Sequence, residues 1–164
     1  MMDSAPIIYF LESHQKFAPR FKPIFAAHAA GRLRFAVTTI TLAEVLTGPL
    51  RAGDEALARR YRAILESWQM VDLTVDIAES AARLRASLRL RLADAVQAAS
   101  ALAVNATALV THDRDFSRVH ALRVISRSLD DRMQRPFINV PLCAGTARPF
   151  FPAAGRRAGR RSCA

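Results

Sequence analysis

The chain has 164 residues, of which 51% are hydrophobic and 23% charged, and its net charge is +10. That length supports one domain with a sizeable core but not two comfortable ones, and the apolar content excludes a wholly disordered chain. Cys143 and Cys163 both lie near the C-terminus, which excludes a disulfide framework or cysteine zinc site in the core, and no apolar run approaches a membrane span.

The opening residues lack the pattern of a secretory signal, so a reducing cytoplasmic setting is expected. Lys16 and Lys22 are the only lysines, so the basic excess is almost all arginine. Such an excess favours polyanions, nucleic acid above all, or an acidic protein partner.

In chain order, Pro6 suits the first turn of a helix with Ser4 as its cap, and Ile7, Ile8, Phe10 and Leu11 supply its apolar face. Residues 17–30 carry Phe17, Phe21, Ile24 and Phe25 at helical spacing. Pro19 and Pro23 threaten the first turns of that segment, and Gly31 ends it. Phe35 to Thr38 is short, apolar and β-prone. Thr41 with Glu44 three residues on has the spacing of a capping box at the start of a helix that Gly48-Pro49 should end. Gly53-Asp54 then opens a helix over 54–67, with Leu57, Tyr61, Ile64 and Leu65 recurring on one face. Met70 to Leu73 is a second strand.

Thr74 or Asp76 caps a helix reaching about Leu88, and residues 92–104 form the most apolar helix, ended by Asn105. Ala108 to Thr111 and Arg123 to Ile125 are the remaining strands. Strands alternating with helices predict a parallel sheet covered by helices, with a site at the carboxyl ends of its strands. Beyond residue 128 the pattern dissolves: residues 129–164 hold Pro136, Pro141, Pro149 and Pro152 and a Gly155-Arg156-Arg157-Ala158-Gly159-Arg160-Arg161 run. The expected organisation is a folded domain over 1–128 and a disordered basic extension over 129–164.

Four acids stand out: Asp3, Glu44, Asp94 and Asp113. Isolated carboxylates in apolar settings are costly unless they are paired or bound to a cation. Each also has an ordinary explanation. Glu44 fits the capping box, Asp113 a turn, and Asp3 a helix cap. Asp94 gains from the helix dipole, but only about 0.3–1 kcal/mol, less than the desolvation expected in so apolar a helix. Together at sheet ends the four would form a hard-cation site. Ser4, Thr111 and Asp115 adjoin them as supporting residues. His112 has no partner at a paired spacing and suits a surface turn. Arg83, Arg85, Arg89 and Arg91 suit either a solvated helix end or a phosphate-contacting surface. The chain has neither a Gly-x-Ser-x-Gly elbow nor a glycine-rich phosphate loop, which argues against serine hydrolases and P-loop enzymes.

Four segments carry a resemblance. Asp3-Ser4-Ala5, Thr41-Leu42-Ala43-Glu44, Leu92-Ala93-Asp94-Ala95 and Thr111-His112-Asp113-Arg114-Asp115-Phe116 resemble, in order, the motifs of PIN-domain ribonucleases of the VapC toxin type. The likeness runs over about residues 1–128. It departs from the family at both ends. Only Met1-Met2 precedes Asp3, which implies either a start further upstream or a clipped central strand, and the Pro/Arg-rich extension has no family counterpart.

The resemblance implies an α/β, PIN-like three-layer α/β/α fold around a mostly parallel twisted sheet of about five strands. It implies a metal-dependent endoribonuclease, the toxin of a toxin–antitoxin pair, with Asp3, Asp94 and Asp113 holding Mg²⁺ or Mn²⁺. Glu44 would hold a second ion or orient the attacking water. The implied partners are RNA, a VapB-like antitoxin and a second copy of the chain, with no membrane involved. A non-catalytic PIN-like module that binds RNA or protein is the alternative from another class.

Overall fold

The structure, a computed structural model, describes residues 1–125; the extension expected over 129–164 lies outside them. Helix α1 (Ser4–Leu11) leads to α2 (Ala18–Ala29), strand β1 (Ala36–Thr38), α3 (Thr39–Arg51) and α4 (Glu55–Glu66). Strand β2 (Gln69–Val71), α5 (Val75–Leu88), α6 (Leu92–Ala103), β3 (Leu109–Val110), a 3₁₀ turn (Asp115–Arg118) and β4 (Val124–Ile125) follow.

Strand β1 pairs in parallel with β2, and β3 in parallel with β4. The two pairs are joined by the first three residues of the chain. Met2 forms a parallel bridge with Val110; the Val110 N–H donates to Met1 O (3.0 Å) and the Asp3 N–H to Val110 O (2.9 Å). On the other side the Met2 N–H donates to Ala36 O (2.8 Å). Five backbone segments therefore run in the order β2, β1, Met1–Asp3, β3, β4. The central strand is short, yet its place is filled.

Local chemistry explains most element ends. Thr38, Asp54 and Thr74 cap α3, α4 and α5 by accepting the N–H of the residue three further on. At the end of α2, Gly31 takes φ +68°, and the Gly31 and Arg32 N–H groups return to His28 O and Ala27 O. Asn105 (φ +50°) does the same for α6, with Asn105 and Ala106 donating to Leu102 O and Ala101 O. Both are Schellman stops, which favour a residue able to adopt left-handed backbone.

Three expectations need correction. Asp3, not Ser4, caps α1, accepting the Ser4 N–H at 2.8 Å. Helix α3 starts at Thr39 with Thr38 as its cap, so Thr41 and Glu44 form no capping box. Nor does Gly48-Pro49 end α3: the helix runs through Pro49, which is buried, to Arg51. A proline near a helix end sacrifices one backbone bond there, and burial of its ring offsets part of that loss. Pro23 likewise sits inside α2, with its ring exposed.

Helix α6 is buried nearly all round: Ala95, Ala98 and Ala101 are fully enclosed, and Val96, Gln97, Ala99 and Ser100 nearly so. Its small side chains let α5 and the sheet residues Ala36, Val71 and Leu109 approach closely in one core cluster with Phe116 and Val119. Its buried polar residues are Ser100 and Gln97, and Gln97 is the one that bridges elements. Its Nε2 donates to Met2 O at 2.8 Å, and its Oε1 accepts from the hydroxyls of Thr38 (2.9 Å) and Thr41 (3.1 Å). The two hydroxyls also lie 3.0 Å apart, but each has one proton, so not all of these contacts are occupied at once.

One side chain thus ties α6, α3 and the central segment. Gln97→Leu, similar in volume, should cost about 2–4 kcal/mol by stranding several buried polar atoms, measured by denaturant unfolding. A loss under about 0.5 kcal/mol would contradict this account of the network.

Candidate active site

Asp3 follows the central segment, and Asp113 lies two residues beyond Thr111, which leaves β3; both stand at carboxyl ends of parallel backbone. Glu44 lies in the second turn of α3 and Asp94 in the first turn of α6. All four line one cleft of about 500 Å³ together with Ser4, Ala5, Tyr9, His112 and Arg114. The structure brings together every acid singled out from the sequence.

The acids are held differently. Asp3 Oδ2 accepts from the Thr111 hydroxyl at 2.6 Å, and Oδ1 from the Ser4 N–H. Thr111 is fully buried, and its Oγ1 in turn accepts the Asp113 N–H at 3.0 Å. Asp113 Oδ1 accepts the Asp115 N–H at 2.9 Å, the geometry of an Asx turn. This chain of bonds fixes two acids relative to each other through one hydroxyl. Thr111 and Ser4 support Asp3, though Ser4 does so through its backbone. Asp115 supports Asp113 through its backbone too, while its carboxylate pairs with Arg118 at 3.2 Å and is absent from the cleft lining.

Asp94 is the unsatisfied member. Its Oδ2 is buried with no hydrogen-bond partner among the described residues. Burial, then the negative charges of Asp113 and Asp3, push its carboxyl up to about 6, with a smaller push from Glu44 and an opposing pull from Arg91. Asp3 is also raised, first by burial; its hydrogen bonds from Thr111 and Ser4 oppose this, and the Glu44 and Asp113 charges add to it. The carboxylates around Asp3 and Asp94 thus add to the cost of burying their charge, a field that a cation would relieve.

Among the described residues no three His, Cys, Asp or Glu side chains close into a tight ligand set. The acids ring the cleft instead of caging a point within it. Mg²⁺ is commonly bound by one or two carboxylates while keeping several waters. An all-oxygen donor set with one orphaned buried oxygen fits such an ion.

The sequence reading missed three lining residues. His112 was assigned to a surface turn, yet it lines the cleft; its position directly before Asp113 was the available signal. Tyr9 lies four residues after Ala5 on α1, so the two share a helix face. Arg114 directly follows Asp113. Arg114 lies in the fourth motif segment, but nothing in the spacing marks either residue as lining a cleft.

Comparison with other proteins agrees with this fold. A toxin–antitoxin complex from Klebsiella pneumoniae is similar, with a TM-score of 0.59 and 23% identity, covering 76% of this chain and 94% of that one. VapBC2 from Rickettsia felis, bound to a DNA fragment from its promoter, gives 0.60 and 21% over 77% and 96%. VapBC-1 from nontypeable Haemophilus influenzae gives 0.60 and 23% over the same shares. A search of curated proteins finds no match. Residues 1–122 match the PIN domain, a family whose members are generally nucleases. That match spans the segments of all four cleft acids, and the chain belongs to the PIN domain family.

Proposed function

We propose that the chain is a metal-dependent endoribonuclease, the toxin of a toxin–antitoxin pair. The observation that carries this reading is the buried, unpartnered Asp94 Oδ2 in a cleft shared with Asp3, Glu44 and Asp113. Asp3, Asp94 and Asp113 would hold Mg²⁺ or Mn²⁺ directly or through water, and Glu44 would hold a second ion or orient the attacking water. Bound there, the ion would supply Lewis acidity, lowering the pKa of a water and screening the phosphate.

The chain's own residues do the rest. Thr111 and the Ser4 N–H aim Asp3 and favour its ionised form against burial, and the Asx turn at Asp113 fixes the second acid. Arg114 at the cleft offers a cation to a phosphate oxygen. A cytoplasmic RNA, a VapB-like antitoxin and a second copy of the chain are the proposed partners. The similar VapBC complexes support the antitoxin. Among the described residues no helix is long and apolar enough to cross a membrane.

Asp94→Asn should keep the fold and lower metal-dependent RNA cleavage by about 100-fold or more, since the ion's contribution amounts to several kcal/mol of barrier. Undiminished cleavage would contradict the assignment. In chelator the wild-type protein should stop cleaving and bind RNA poorly at the cleft, because bare carboxylates repel phosphate. A non-catalytic binding module would instead hold RNA undiminished in chelator.

The raised Asp94 carboxyl has a consequence for stability. Its folded-state value, about 6, exceeds the unfolded value of 3.8, so the folded protein binds the extra proton between them. The resulting stability is complete below the unfolded value and lost as pH rises through about 6. In chelator, wild type should therefore lose melting temperature between pH 5 and 7.5 faster than Asp94→Asn does, and Mg²⁺ should restore wild type at the higher pH. Parallel melting curves for the two proteins would contradict the electrostatics described here.

A further inference from the structure

We propose that Tyr9 and His112, buttressed by Phe17, form a stacking platform for one unpaired nucleobase of the substrate beside the acidic cleft. The proposal rests on the nuclease reading and extends it to how the substrate is recognised.

The cleft that holds the four carboxylates is also lined by the rings of Tyr9 and His112. Their centroids lie 5.4 Å apart at 74°. Phe17 braces both, at 4.7 Å from His112 in an edge-to-face arrangement and 4.8 Å from Tyr9. The three rings are only partly buried, unlike Phe25 and Phe35, which pack in the interior at 6% and 3% exposure. A core cluster has no reason to open onto a polar cleft, whereas a nucleotide needs an aromatic face within reach of its phosphate.

A further observation points to RNA. Lys16 and Arg20, both exposed, stand over the Phe17 ring at 5.5 and 5.3 Å. Cations at that rim attract a flanking phosphate and repel the basic peptide that the carboxylates alone would draw. A base offers its face to a ring only when it is unpaired, which selects single strands, loops or bulges over duplex.

The test uses the full chain carrying Asp94→Asn, which separates binding from cleavage, with Mg²⁺ present. The probes are short single-stranded RNA homo-oligonucleotides containing 2-aminopurine, and the same oligonucleotides with abasic riboses. The Asp94→Asn protein should prefer the base-bearing probes and quench their fluorescence. Adding Tyr9→Leu should weaken base-bearing binding by about 5- to 100-fold, leave abasic binding unchanged and abolish the quenching; Tyr9→Phe should retain all three properties. His112→Leu should act as Tyr9→Leu does and carries the test if the latter fails to fold.

Equal losses on base-bearing and abasic probes would overturn the platform in favour of a structural role. Unchanged RNA binding would overturn it and leave the rings to a protein partner. No binding of any probe by the Asp94→Asn protein, at Mg²⁺ concentrations that saturate it, would overturn the platform; the nuclease reading is tested separately by wild-type cleavage.

Discussion

The structure depends on three residues threaded between two strands. Met1, Met2 and Asp3 bond to Ala36 on one side and Val110 on the other, and the free Met2 carbonyl is taken by Gln97. The terminal amine adds a bond to Ala108 O at 2.9 Å. Without that segment β1–β2 and β3–β4 would be separate pairs, and Asp3 would have no fixed address. Its position also makes Asp3 the cap of α1, so one residue ends the central strand and starts the helix that carries Tyr9.

From that placement the cleft follows as an electrostatic problem. Thr111 settles the relation between Asp3 and Asp113 by bonding both. Glu44 and Asp94 enter from separate helices, and nothing among the described residues neutralises Asp94 Oδ2. The desolvation of that carboxylate, reinforced by its neighbours, exceeds the relief that Arg91 provides. Stability is lost here at a site that a cation would complete, a common arrangement where function requires charge in a poorly solvated place.

Much of this was legible in the residues themselves, for identifiable reasons. Caps announced themselves through Asp54 and Thr74, and stops through Gly31 and Asn105, because those are local effects of one side chain on adjacent backbone. The acids were legible because Asp94 contradicts its apolar surroundings. Glu44 was ambiguous on spacing alone, and only the position of Thr38 removes the capping explanation. Gly48-Pro49 misled because tertiary burial of Pro49 overrides a local breaking tendency. The central strand could not be read from two preceding residues, since its stability comes from partners at Ala36, Gln97 and Val110. His112 lies in a motif segment but no spacing marked it as a lining residue; its place at the cleft beside Tyr9 arises from packing between α1, α2 and the loop after β3.

The central claim is that the four acids form a divalent-cation site whose keystone is Asp94. Calorimetric titration of Mn²⁺ into the wild-type protein and Asp94→Asn, without RNA, tests it most directly. The account predicts saturable binding to wild type and about tenfold or greater weakening in the variant. Equal affinity in the two proteins, or no binding to wild type, would contradict it.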